Sequence, residues 1–117
     1  MRNLIKLVVL STIYLVSSSA SFAEVRSKVT SIRAHGTDIY YVRFYRGYRA
    51  KVAVAGAGAT NLDMYIYDKY GNLACYDRSY TDRFVCRWYP RTTGTYRIVV
   101  KNRGHYRNTY AIATKNY

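Results

Sequence analysis

Carboxylates are scarce in this chain. Its 117 residues hold 6 Asp plus Glu against 19 Lys plus Arg, a formal net charge of +13. Calcium takes about six to eight oxygen ligands, so such a cage is poorly supplied. Cysteines and histidines number 2 each. Cys75 and Cys86 have no histidine close in sequence and do not complete a zinc shell. His35 and His105 fall in separate loops, where a lone histidine is solvated. Ser27, Ser31 and Ser79 lie in polar segments, none in the Gly-x-Ser-x-Gly setting of a nucleophile elbow. Asp77 and Asp82 can be cast as a glycosidase pair, but acids at the shoulders of a short connection are ordinary turn chemistry. Gly56-Ala57-Gly58-Ala59-Thr60 lacks the Lys-Ser or Lys-Thr and the helix that follow a phosphate loop. These absences argue against an enzyme and imply no cofactor.

Long apolar runs are also missing. Met1–Lys6 carries two positive charges, Leu7–Val16 is apolar apart from Ser11 and Thr12, and Ser21-Phe22-Ala23 is a small-x-small sequence. That order is a secretory signal peptide over residues 1–23, cut before Glu24. Its apolar core is far short of the ~20 residues of a spanning helix. The expected product is periplasmic or extracellular, not an integral membrane protein. It spans 24–117 as one small domain, with 17 cations against 6 acids and a net charge of +11. In that compartment two cysteines read as a disulfide.

What the exported part does have is alternation. Leu62, Met64 and Ile66 alternate with Asp63, Tyr65 and Tyr67, the period of a strand with one face in a core. Asp68-Lys69-Tyr70-Gly71-Asn72 then turns the chain, Gly71 and Asn72 being the types that tolerate positive φ. The same pattern places Tyr40, Val42 and Phe44 inward, then Ala50, Val52 and Val54, then Tyr96, Ile98 and Val100, and last Tyr110 and Ile112. Glu24–Arg33 is a weaker edge strand with Val29 and Ile32 touching the core. No helical periodicity follows Ala23. The fold class is all-β: an antiparallel, jelly-roll-like β-sandwich of seven or eight short strands. Leu73–Asp77 and Arg83–Trp88 read as a hairpin around 78–82. With Cys75 facing Cys86, Leu73 faces Trp88 and Asp77 faces Phe84, so disulfide and hydrophobic pattern agree on one register.

From Asp38 to the C-terminus the sequence resembles the bacterial pre-peptidase C-terminal domain, in its small stand-alone secreted version. The residues that carry the likeness are Asp38-Ile39-Tyr40-Tyr41-Val42-Arg43-Phe44, Asn61 to Asn72, Trp88-Tyr89-Pro90-Arg91-Thr92-Thr93-Gly94-Thr95-Tyr96, Val100-Lys101-Asn102 and Asn108-Thr109-Tyr110. The resemblance implies a jelly-roll-like sandwich. It also implies Asp38, Asn61 and Asp63 as the positions to consider for calcium, with Asn61 standing where the family has Asp. Asp63 equally suits a role in satisfying backbone donors of the loop before its strand.

The surface carries the functional expectation. Tyr41, Arg43, Tyr45, Arg49, Lys51, Tyr65, Tyr67, Arg97 and Lys101 all fall on outward positions. Tyrosine offers a flat face to sugars, and arginine a fork to phosphate or carboxylate. The reading is a secreted, non-catalytic binding module that contacts an anionic polymer such as an acidic polysaccharide or lipopolysaccharide. Nucleic acid is a lesser candidate. The same residues also suit cross-strand pairs that merely stabilise an exposed sheet face. The loop Lys101–Arg107 is a second basic candidate. The alternative is a protein-interaction module docking on a secreted enzyme; a lysozyme is disfavoured as target because it is itself basic.

Overall fold

The computed structural model describes residues 25–117. The expected signal peptide and its cleavage point lie outside the described residues. Eight strands follow in order: β1 (Val25–Ile32), β2 (Thr37–Phe44), β3 (Ala50–Gly56), β4 (Leu62–Tyr67), β5 (Leu73–Asp77), β6 (Arg83–Trp88), β7 (Gly94–Asn102) and β8 (Asn108–Asn116). They form two four-stranded antiparallel sheets. One has the order β1-β8-β3-β6, and we call it the β1 sheet; the other, the β2 sheet, has the order β2-β7-β4-β5.

Alternation builds the core. Phe44, Leu62, Met64, Ile66, Ile98 and Val100 from the β2 sheet meet Ala50, Val52, Val54, Tyr110 and Ile112 from the β1 sheet, all buried. Phe44 meets Trp88 and Tyr96 edge-on, with ring centroids 5.1 and 5.5 Å away, the geometry ring quadrupoles prefer. The Tyr96 hydroxyl donates to the carbonyl of Thr92 at 2.7 Å and closes the turn after Pro90. In the Asp68–Asn72 turn the Asp68 carboxylate accepts from the amides of Tyr70 and Asn72, both at 2.9 Å. Gly71, at φ 84°, is the left-handed residue there; Asn72 is not, and its carbonyl accepts from the Asp68 amide instead.

Three expectations are corrected. First, β5 and β6 are not a hairpin: β5 pairs with β4, and β6 pairs with β3, in different sheets. Cys75 and Cys86 do form a disulfide, with Cα atoms 6.1 Å apart, but it ties the edges of the two sheets together. Both arrangements need Cys75, Cys86, Phe84 and Trp88 to point inward, so the side-chain pattern alone does not separate them. Second, Leu73 does not share the inner face with Cys75. A bulge between Ile66 and Tyr67 pairs Leu73 with Tyr67, which leaves Leu73 on the outside. Third, Val29 is 66% exposed while Ile32 is buried. Residues three apart on a regular strand point to opposite faces, so only one of them reaches the core.

Candidate functional site

The outer face of the β2 sheet gathers most of the predicted residues. Its register aligns Tyr41 on β2, Arg97 on β7 and Tyr67 on β4 in one cross-strand row. The Arg97 guanidinium lies 4.7 Å from the centroid of Tyr67. The next row is Ile39, Val99, Tyr65 and Tyr76. Here Lys101 reaches back over the Tyr65 ring at 5.7 Å and Arg78 over Tyr76 at 5.4 Å. At the far end of β2, Arg43 sits 5.4 Å from the ring of Tyr45, one residue beyond the strand. Cations over ring faces are held by the ring quadrupole. Val99 is outward by position yet only 7% exposed, so the neighbouring side chains cover it, whereas Tyr41 stands 69% exposed. The face is therefore a tyrosine platform with cations laid across it.

Seven of the nine predicted residues lie here: Tyr41, Arg43, Tyr45, Tyr65, Tyr67, Arg97 and Lys101. Arg49 and Lys51 do not. They belong to the outer face of the β1 sheet, on the opposite side of the sandwich. Tyr76 joins the platform and was not singled out from the sequence. Completing the alternation of β5 outward from Cys75 would have found it.

The loop between β7 and β8 is organised by its first residue. The Asn102 amide donates to the carbonyls of Ile32, Arg33 and Tyr106, and its oxygen accepts from the Gly104 amide at 3.0 Å. Asn108 similarly accepts from the Ala57 amide and donates to Thr60 and to the Asp82 carboxylate. Asn102 and Asn108 of the family-like motifs thus pin the loops around them. Arg103 in this loop faces Asp63 across 3.6 Å.

The acidic residues are similarly engaged. Asp82 is buried, accepts from the Gly58 amide at 2.6 Å, and lies where any side chain on Gly56 would collide with it. Asp77 accepts from the amide and hydroxyl of Ser79. Both carboxylates are engaged by hydrogen bonds from neighbouring groups. Asp38 accepts from the Tyr110 hydroxyl inside the sandwich, whereas Asp63 is on the outer side of the same sheet, opposite Lys101. Asn61 contributes its backbone carbonyl to the Arg103 amide. The calcium candidates therefore do not converge on one point, and the donor set does not fit that ion. Among the described residues no group of three or more His, Cys, Asp or Glu is placed to hold a metal.

Two polar arrangements were not foreseen. His35 and His105, from separate loops, meet with Nε2 and Nδ1 3.2 Å apart and rings edge to face. The second arrangement is internal. Tyr110 donates to Asp38 at 2.6 Å, so the proton between Tyr40 and Tyr110 comes from Tyr40. This chain crosses from the β2 sheet to the β1 sheet. Burial pushes the Tyr40 phenol up to about 12 and raises that of Tyr110 further.

Solved structures share this architecture. The pre-peptidase C-terminal domain of the Bacillus anthracis collagenase aligns with a TM-score of 0.67 at 16% identity, over 77% of this chain and 88% of that one. The chain has a pre-peptidase C-terminal fold. Aeromonas hydrophila PliG, a periplasmic inhibitor of g-type lysozyme, aligns at TM-score 0.64 and 14% identity, over 86% and 93%. The Yersinia pseudotuberculosis-derived mitogen aligns at 0.58 and 11%, over 81% and 87%. No protein-family model and no curated sequence matches the chain.

Proposed function

We propose that this is a secreted or periplasmic, non-catalytic binding module, one domain over residues 24–117, whose β2-sheet face contacts an acidic polysaccharide or lipopolysaccharide. The observation that carries it is the row Tyr41–Arg97–Tyr67, an exposed ring beside a guanidinium that is itself stacked on a second ring. A sugar ring packs on a tyrosine face while its carboxylate or sulfate meets the arginine fork. Export is supported by the leader-like residues 1–23 and by the disulfide. The test is elution from immobilised heparin and lipopolysaccharide. Replacing Arg43, Arg97 and Lys101 together by Ser is expected to lower the salt needed for elution by roughly half, because fewer counterions are released. Unchanged elution overturns this face as the contact.

The likeness to the Aeromonas hydrophila inhibitor supports a second reading, a module that docks on a secreted enzyme. Titrating the purified protein against a g-type lysozyme, the target of that inhibitor, tests it where the likeness points and against the charge argument drawn from the sequence. Stoichiometric inhibition that survives high salt favours the protein partner over the polymer.

A further inference from the structure

The opposite face of the sandwich carries a different arrangement of charge. On the β1 sheet Lys115, Lys51 and Arg87 stand side by side on β8, β3 and β6, directly paired in register. The next row outward is Tyr117, Arg49 and Tyr89. Arg49 exchanges backbone hydrogen bonds with Tyr117 at 2.6 and 2.8 Å, and its guanidinium donates to the Tyr89 hydroxyl at 3.1 Å. Arg49 also lies 5.5 Å from the Tyr89 ring and 5.9 Å from the Tyr117 ring, and Lys115 lies 4.4 Å from Tyr117. On the inner side of the cation row come Ala113, Ala53 and Val85, so the cations stand beside a low floor.

Adjacent strands are about 4.8 Å apart and same-face neighbours on one strand about 7 Å. Four cations therefore occupy a patch of about 10 by 7 Å. Among the described residues none of the four has a carboxylate within ion-pair distance. Like charges directly opposite on a sheet are destabilising. A hydrogen bond from the Arg49 guanidinium lowers the Tyr117 phenol from its ordinary value, and the charges of Arg49, Lys51 and Lys115 act in the same direction. Tyrosine rings relieve Arg49 and Lys115, whereas Lys51 stands in the middle of the row, paired in register with Lys115 on one side and Arg87 on the other.

We propose that Arg49, Lys51, Arg87 and Lys115 form a binding site for a compact, multiply charged anion of the phosphomonoester type. Such a group is small enough to sit over the central Lys51 and accept from both guanidinium forks and both ammoniums at once. Tyr89 and Tyr117 wall the outer side of the site, and the alanine floor admits whatever bears the phosphate. This site is separate from the tyrosine platform of the β2 sheet and does not depend on it.

The test is a titration of the purified, isotopically labelled protein with pyrophosphate at constant ionic strength, read on backbone amide resonances. Saturable shifts are expected at residues 49–51, 87–89 and 115–117, with residues 41–43, 65–67 and 97–101 unmoved. Small shifts spread over both faces, or no saturation, overturn the proposal. Lys51→Thr is the decisive variant. Without added anion at low salt it is expected to raise the melting temperature, and the gain should vanish in high salt, where like-charge repulsion is screened. It should also weaken pyrophosphate binding at least tenfold. A lowered melting temperature at low salt, or a gain indifferent to salt, overturns the repulsion on which the site is argued. Vesicles carrying phosphatidate separate a lipid-borne phosphate from a soluble one. Co-sedimentation assigns the first source, saturable pyrophosphate shifts without it assign the second, and absence of both overturns the site. Because loss of heparin retention in the β2-sheet variant leaves these amides untouched, failure of either site is seen separately.

Discussion

The two outer faces are built by one rule and end with different arrangements of positive charge. On the β2 sheet Arg97 and Lys101 alternate across strands with tyrosines, and each has a ring beneath it. On the β1 sheet Lys115, Lys51 and Arg87 fall in one row, next to one another. The first face is internally compensated and presents rings. The second sets its cations beside one another, with rings only at Arg49 and Lys115, and presents charge. Strand register alone makes this difference, since cations at alternate positions are common to both sheets. The lesson is that net charge is a poor guide to binding until register says which cations are neighbours.

The comparison breaks most severely if the two faces are not parts of one cooperative unit. Ile98 is fully buried at the centre of the β2 sheet, between Tyr40 on β2 and Ile66 on β4. Ile98→Ala should cost about 4 kcal/mol through lost transfer energy and a residual cavity. Amide exchange should then show both faces losing protection together. Retained protection in β1, β3 and β8 alone would mean that the β1 sheet stands without its partner.

The disulfide is the next lever, because it joins the two sheets at their β5 and β6 edges. Replacing Cys75 and Cys86 together by Ala should cost about 3 kcal/mol by loop-closure entropy. The loss should be read as a lower urea midpoint for the whole molecule. A change confined to amides of β5 would show that the tie serves only one edge.

Much of this was legible in advance. Alternation placed Phe44, Val52, Met64, Ile98 and Ile112 correctly, because an inward apolar residue at period two has one sensible direction. The motif turn at Asp68–Asn72 was legible for the same local reason. Sheet membership was not. Arg78–Asp82 is long enough either to turn back or to cross to the other sheet, and inward cysteines satisfy both. That ambiguity also hid the separation of Arg49 and Lys51 from the other seven candidates. The bulge that turned Leu73 outward and the meeting of His35 with His105 arise from tertiary contacts with no local trace.

Alkali tests the interior tie that holds both faces in place. The Tyr40 phenol is held up to about 12, against 10.0 for the free side chain. Between those values the unfolded chain has released this proton and the folded chain keeps it, so stability falls as pH rises from 10.0 to about 12. It is fully present below that window. The loss from Tyr40 is about 3 kcal/mol, and Tyr110 adds to it with the same sign. Urea midpoints across this range should decline steeply, and Tyr40→Phe should flatten the decline. An unflattened curve would place the alkaline weakness elsewhere.

The smallest effect is the sharpest for the comparison. Removing one cation from each face should change stability in opposite directions. Arg97→Gln takes a guanidinium off the Tyr67 ring and should cost about 0.5 kcal/mol, the size of an exposed cation–π contact. Arg87→Gln takes a cation from beside Lys51 and should contribute a few tenths of a kcal/mol in the other direction at low salt, about the size of a like-charge lateral pair. In high salt the second change should shrink toward zero, while the first, being short-range and over a ring, should persist in larger part. Urea midpoints of the two variants at two salt concentrations suffice. If both variants are destabilised alike at low salt, the β1-sheet row is compensated after all, and the contrast between the faces reduces to composition rather than register.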